Sequence, residues 1–186
     1  FNLTKSMRTV FKEYLVLAAI VLLVLITVIV EPKFLSPSNL TNIMRQFGPL
    51  SMVALGMTFV IIGGFIDLSV AGILSLVAVV TVSLIGPLGQ LPALIAGLCL
   101  GAACGYLNSL LVLSCGALTQ AEALFITFGM STVYGALALI FSGGSTAHMS
   151  WIETDKSIFE AIGQGMVGFL SVSFVIFLVC LLLLYI

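Results

Sequence analysis

FVIIGGFIDLSVAG, residues 59 to 72, breaks an apolar run with Gly63 and Gly64 and then sets Asp67 among apolar neighbours. Each glycine inside a helix weakens it by roughly 1 kcal/mol relative to alanine. A carboxylate at the centre of a membrane span costs about 2.5–3.5 kcal/mol on insertion scales. Both penalties fall at one place. Interrupted helices at membrane depth are tolerated where they are packed in protein or line a cavity. Their free ends offer backbone donors and acceptors to a solute or to a neighbouring side chain. The stretch therefore reads as a break in a membrane helix near residues 63–69, organised by Asp67. A plainer reading stands beside it: a turn at the membrane surface, with a hydrated Asp67 accepting backbone N–H bonds at the start of a helix from Val70.

The surroundings of this stretch make the membrane assignment. The 186-residue chain is 61% hydrophobic and 7% charged, with a mean hydropathy of +1.33, whereas a soluble domain carries about 25% charged residues. From Gln46 to Ile152 the formal charges are Asp67 and Glu122. A net charge of -1 with no basic patch gives no reason to expect nucleic acid. The chain opens on Phe1 and stops inside the apolar run SFVIFLVCLLLLYI, which reads as a single transmembrane domain over 1–186 and the N-terminal part of a longer protein.

Six spans follow from the hydropathy pattern: Tyr14–Val30, Phe47–Ile62, Val70–Ile85, Ala93–Leu113, Ala123–Phe141 and Met166–Ile186. Backbone groups in lipid must be satisfied within the segment, so each is a helix. The fold class is thus all-α, a polytopic helical membrane protein of about six transmembrane helices. Tyr14–Val30 follows Lys5, Arg8 and Lys12 but precedes EPKF rather than a small-residue cleavage site, so it is a retained span and not a signal peptide. Gly86-Pro87, Pro92 and Gly143-Gly144 punctuate the connections. The basic arm places the N-terminus in the cytoplasm. Six crossings then put the polar loop 142–165 outside and return Ile186 to the cytoplasm. Within that loop, IFEAIGQG reads as a short amphipathic helix at the interface and Trp151 as an interfacial anchor.

The remaining signals are mostly structural. Ala93, Gly97, Gly101, Gly105 and Ser109 recur every fourth position, the pattern that lets membrane helices approach closely. Gly97, Gly101 and Gly105 are accordingly expected to pack helices. Glu122, after Thr119 and Gln120, suits the first turn of a helix. His148 reads as a solvated loop side chain. Cys99, Cys104, Cys115 and Cys180 lack the close pairing of a metal or redox site and read as small buried hydrophobes. No constellation marks a catalytic or metal site. No G-x-x-x-x-G-K-[ST] phosphate loop occurs, so any ATP chemistry belongs to another chain.

Four stretches, in order, carry a resemblance: FLSPSNLTNIMRQ, ALGMTFVIIGGFIDLSVAG, GYLNSLLV and FITFGMSTVYGALALIFSGG, across Phe34–Gly144. The series resembles the permease subunits of bacterial ATP-binding-cassette importers for ribose-like sugars and related small solutes. It departs from the family pattern where Phe65 separates Gly63-Gly64 from Ile66-Asp67, where Ala71 replaces a glycine, and where Glu122-Ala123 replaces a Pro-Pro pair. The resemblance implies a multi-pass protein of the bacterial plasma (inner) membrane that works by alternating access, with no cofactor on this chain. Its implied partners are a second permease chain (identical or different), cytosolic ATP-binding cassette subunits, an external solute-binding protein and the lipid bilayer. The implied substrate pathway runs by Gly63, Gly64, Asp67, Ser69, Phe125, Thr127 and Met130. The alternative is a secondary transporter or channel in which Asp67 binds a proton or cation.

Overall fold

The computed structural model describes residues 3–117 and 119–185, and side chains for 14–117 and 119–184. Helix α1 (Leu3–Val30) leads through a short 3-10 turn (Pro32–Leu35) to α2 (Pro37–Ile62). After the break come α3 (Val70–Leu88), α4 (Gln90–Ser114) and α5 (Gln120–Phe141), then α6 (Ser157–Gln164) and α7 (Val172–Tyr185). A two-strand hairpin, β1 (Met166–Val167) with β2 (Leu170–Ser171), sits between the last two helices. Helices α2 to α5 are long and apolar enough to cross a membrane, and Tyr14–Val30 and Val172–Leu184 are shorter apolar helices.

Several boundaries differ from the hydropathy reading, each for a local reason. α2 begins at Pro37 because Ser36 caps it, its hydroxyl accepting the Asn39 N–H, and proline is already fitted to the first helical position. α3 runs through Gly86-Pro87 and stops at Gly89, whose φ of +86° turns the chain directly into α4. α5 begins at Gln120 under a capping box: the Thr119 hydroxyl accepts the Glu122 N–H at 3.3 Å, and the Glu122 carboxylate accepts the Thr119 N–H at 2.9 Å. The expected span from Met166 is corrected to start at Val172, since 166–171 folds as the hairpin; Ile186 lies outside the described residues. Of the stretch IFEAIGQG, residues 158–164 are helical within α6 and Gly165 is extended.

Packing divides the helices into a trio and a pair. In the trio, α3 packs on both α4 and α5, and Leu76, Cys104, Tyr134 and Ala138 form its buried apolar cluster. Gly72 lets α3 lie against the Ser131 backbone of α5, and Gly97 lets α4 meet the Thr81 side chain of α3. In the pair, α2 crosses α7, with Gly48 against Ser173 and Phe47 at 5.5 Å from Phe174, ring centre to ring centre. The Ser171 hydroxyl donates to the Met44 carbonyl at 2.9 Å and anchors the hairpin to α2. α6 is tied to α4 by Gln90, whose Oε1 accepts the Ile158 N–H at 2.6 Å. The molecule therefore has two ends: the loop 142–171 and Gln90 at one, the break and the α4–α5 turn at the other.

Cysteine burial is mixed. Cys104 is buried, but Cys99 and Cys115 are exposed on the chain and Cys180 is intermediate, so only Cys104 fits the expected burial. An unpaired thiol in an apolar span needs no protein cover, because lipid is as apolar as a core. His148 lies edge-on to the exposed Trp151, 4.7 Å between ring centres.

Candidate functional site

The break is a built structure rather than a frayed end. α2 closes with the Gly64 N–H donating to the Ile61 carbonyl at 2.9 Å and the Phe65 N–H to Val60 at 3.1 Å, the paired bonds of a Schellman motif. That motif places Gly64 at φ +84°, where a side chain would be strained, while Gly63 keeps right-handed geometry. Asp67 then turns the chain toward α3: its Oδ1 accepts the Ser69 N–H at 2.7 Å. Asp67 is partly buried and Ser69 fully so.

Two other helices hold the segment. The Leu68 N–H donates to Thr127 Oγ1 of α5 at 3.1 Å. The Asn108 amide of α4 donates to the Ser69 hydroxyl, and its Oδ1 accepts from the Tyr134 hydroxyl at 2.9 Å. Tyr134 also reaches the Cys104 carbonyl, 3.1 Å away. Asn108 is 3% exposed and Tyr134 3%, so this chain of bonds satisfies polar groups that would otherwise be costly to bury. Thr127 lies roughly 10 Å along α5 from Gln120, and Asn108 about 9 Å before the end of α4. The connection between α2 and α3 is thus seated about two helical turns in from the ends of α4 and α5.

A cavity of about 260 Å³ opens beside it, with Gly63, Asp67, Gly105, Asn108, Ser109 and Thr127 in its wall and Phe65 against it. Of the expected pathway residues, Gly63, Asp67 and Thr127 line this cavity. Ser69 is sealed behind it by Asn108. Gly64 shapes the break without lining the cavity. Met130 packs against the Tyr134 cluster, and Phe125 is 73% exposed on the outer face of α5. Of the expected packing glycines, Gly97 touches α3 and Gly101 approaches Val77 loosely, while Gly105 has open space beside it and faces the cavity. A four-residue repeat advances about 40° per step around a 3.6-residue helix, so the stripe rotates off the contact by its last members. Asn108 and Tyr134 do not stand out in the sequence as site residues. The available signal was an amide and a phenol inside apolar spans, each of which needs a partner.

Four apolar helices of membrane-crossing length, with the connection between α2 and α3 seated beside a cavity, define a polytopic helical membrane protein. Residues 39–186 match the family described as the permease component of branched-chain amino acid transport systems, and the chain belongs to that family. It is 33% identical over 149 residues to the ribose import permease protein of Escherichia coli, covering 78% of this chain and 45% of that protein. The fructose import permease protein of Rhizobium meliloti is 33% identical over 178 residues, 89% of this chain and 48% of its own length. The autoinducer 2 import system permease protein of Escherichia coli is 30% identical over 178 residues, 92% of this chain and 49% of its own. The chain spans about half the length of these relatives. No solved structure matches.

Proposed function

We propose that the chain is part of the membrane-spanning permease subunit of an ATP-binding-cassette importer, carrying a sugar or related small solute by alternating access. The observation that carries the reading is the break held inside the bundle by Thr127 and Asn108, with a cavity against Asp67. Non-helical backbone inside a helical bundle is tolerated where it lines a cavity, which fits a solute pathway. Two relatives named for ribose and fructose import support a sugar as the solute. The importer would comprise a second permease chain, cytosolic ATP-binding cassette subunits that hydrolyse ATP, and an external solute-binding protein, in a bacterial inner membrane. With the N-terminus cytoplasmic, the break and its cavity lie at the cytoplasmic end and α6 at the external end.

Uptake of labelled ribose by cells carrying the full-length permease tests this. ATP depletion should abolish uptake, and an ionophore that leaves ATP intact should not. Asp67→Asn should lower uptake or assembly by more than Glu122→Gln, because Asp67 shapes the break whereas Glu122 caps a helix at its edge. Uptake that ignores ATP but collapses with the ionophore would move the assignment to a secondary carrier using Asp67 as its ion site.

A further inference from the structure

The polar groups in the cavity wall divide into those already used and those left open. The Asn108 amide already carries one bond at each end, to Ser69 and to Tyr134. Thr127 Oγ1 accepts from Leu68 and donates to the Leu124 carbonyl at 3.2 Å. Asp67 uses Oδ1 on the Ser69 N–H, and among the described residues its Oδ2 takes no hydrogen bond. The Ser109 hydroxyl is exposed in the wall with no bond to the described residues. Among the described residues, no lysine, arginine or histidine lines the cavity. Arg45, the nearest cation along α2, is about 27 Å of helix away from Gly63.

We infer that this cavity is an electrostatic filter: Asp67 and Ser109 contact uncharged, hydroxyl-bearing solutes, and the uncompensated carboxylate of Asp67 turns anions away. The solute half of this rests on the pathway reading above; the charge half does not. A hydroxyl donated to Oδ2 makes a charge-assisted bond, and Ser109 can give or take a second. A carboxylate-bearing solute would instead meet a like charge among low-dielectric walls, with no cation among the described wall residues to neutralise it. The family is described by amino-acid transport, while two relatives are named for sugars. The filter separates uncharged sugars from anionic solutes such as sugar acids; it does not separate them from a zwitterionic amino acid, whose ammonium offsets its carboxylate.

The filter is read with a thiol in the cavity. In the full-length protein, every cysteine except buried Cys104 is replaced by serine, and Ser109→Cys is introduced. Modification by cationic trimethylammonium-ethyl methanethiosulfonate is compared with modification by the anionic sulfonatoethyl reagent, each normalised to a free thiol. The cationic reagent should be favoured about tenfold, the lower range of field focusing in a one-sign cleft. Asp67→Asn should abolish the preference and Asp67→Glu keep it. No preference with Asp67 present, or a preference unchanged in Asp67→Asn, overturns the filter. Where Asp67→Asn does not fold, salt serves instead. The preference should fade as the Debye length falls from about 30 Å at 0.01 M to 3 Å at 1 M, and a salt-independent preference overturns the filter equally. Saturating ribose should slow modification of the introduced thiol, and ribonate at the same concentration should not. A charge preference that holds while ribose gives no protection overturns the solute half and leaves the charge half standing, whereas the pathway reading itself falls only if uptake survives ATP depletion.

Discussion

At the scale of single residues, adjacent glycines at the break have unequal duties. Gly64 stands at φ +84° with open space for 4 Å around the point where a Cβ would stand, so the objection to a side chain there is backbone strain and not crowding. Gly63 is right-handed at φ -68°. Gly64→Ala should therefore destabilise the protein by roughly 1–2 kcal/mol, and Gly63→Ala should be near neutral. Thermal unfolding in detergent measures both, and equal losses would contradict the Schellman assignment. Asn108 offers a second case. Asn108→Ala takes the amide partner from the Ser69 and Tyr134 hydroxyls, and Tyr134→Phe leaves the buried Asn108 Oδ1 without its donor, so each should cost about 1–3 kcal/mol. Because the two residues share one bond, the double variant should be less destabilised than the sum, by about 0.6 kcal/mol, the mean for hydrogen bonds between membrane helices. Strict additivity would mean that the bond contributes nothing.

At the scale of elements, helix spacing is governed by which glycines meet backbone and which meet side chains. A methyl at Gly72 would overlap the Ser131 carbonyl and Cα, which cannot move without shifting α5. One at Gly97 would overlap the Thr81 hydroxyl, which can rotate away. One at Gly105 would meet nothing within 4 Å. Stability should fall in the order Gly72→Ala, Gly97→Ala, Gly105→Ala, with the first the most damaging and the last within about 0.5 kcal/mol of the parent. Unfolding midpoints of the three variants decide it. This ordering also shows what the sequence could not convey. The small-residue stripe on α4 was legible, but its phase against 3.6 residues per turn separates Gly97 on the packing face from Gly105 on the cavity face. Gly72, the tightest approach to α5, belongs to no stripe on its helix. The cap at Thr119–Glu122 was legible because it is local, closing within residues three apart. The latch from Asn108 to Ser69 and Tyr134 was not, since it joins three helices whose pairing hydropathy does not encode.

For the whole molecule, alternating helix directions separate two sets of features. Ser171 bonds to the Met44 carbonyl and Gln90 to Ile158, so the starts of α2, α4 and α7 share an end with the loop that carries Trp151. The break meets Thr127 and Asn108 near the start of α5 and the end of α4, so Cys115 lies at the opposite end. The sequence reached the same division of ends by counting apolar spans, which works because a helix of membrane-crossing length satisfies its own backbone and sets its two termini at opposite ends. It could not reach the depth of the break, which depends on Thr127 and Asn108 pulling residues 68 and 69 inward. Exposed Cys115 is a natural reporter of this topology. With the N-terminus cytoplasmic, a membrane-impermeant maleimide should label Trp151→Cys in intact spheroplasts and leave Cys115 unreacted. In inverted vesicles the pattern should reverse. Labelling of both positions from one side would mean that α5 does not cross, and the cavity at its start would then face the same compartment as α6.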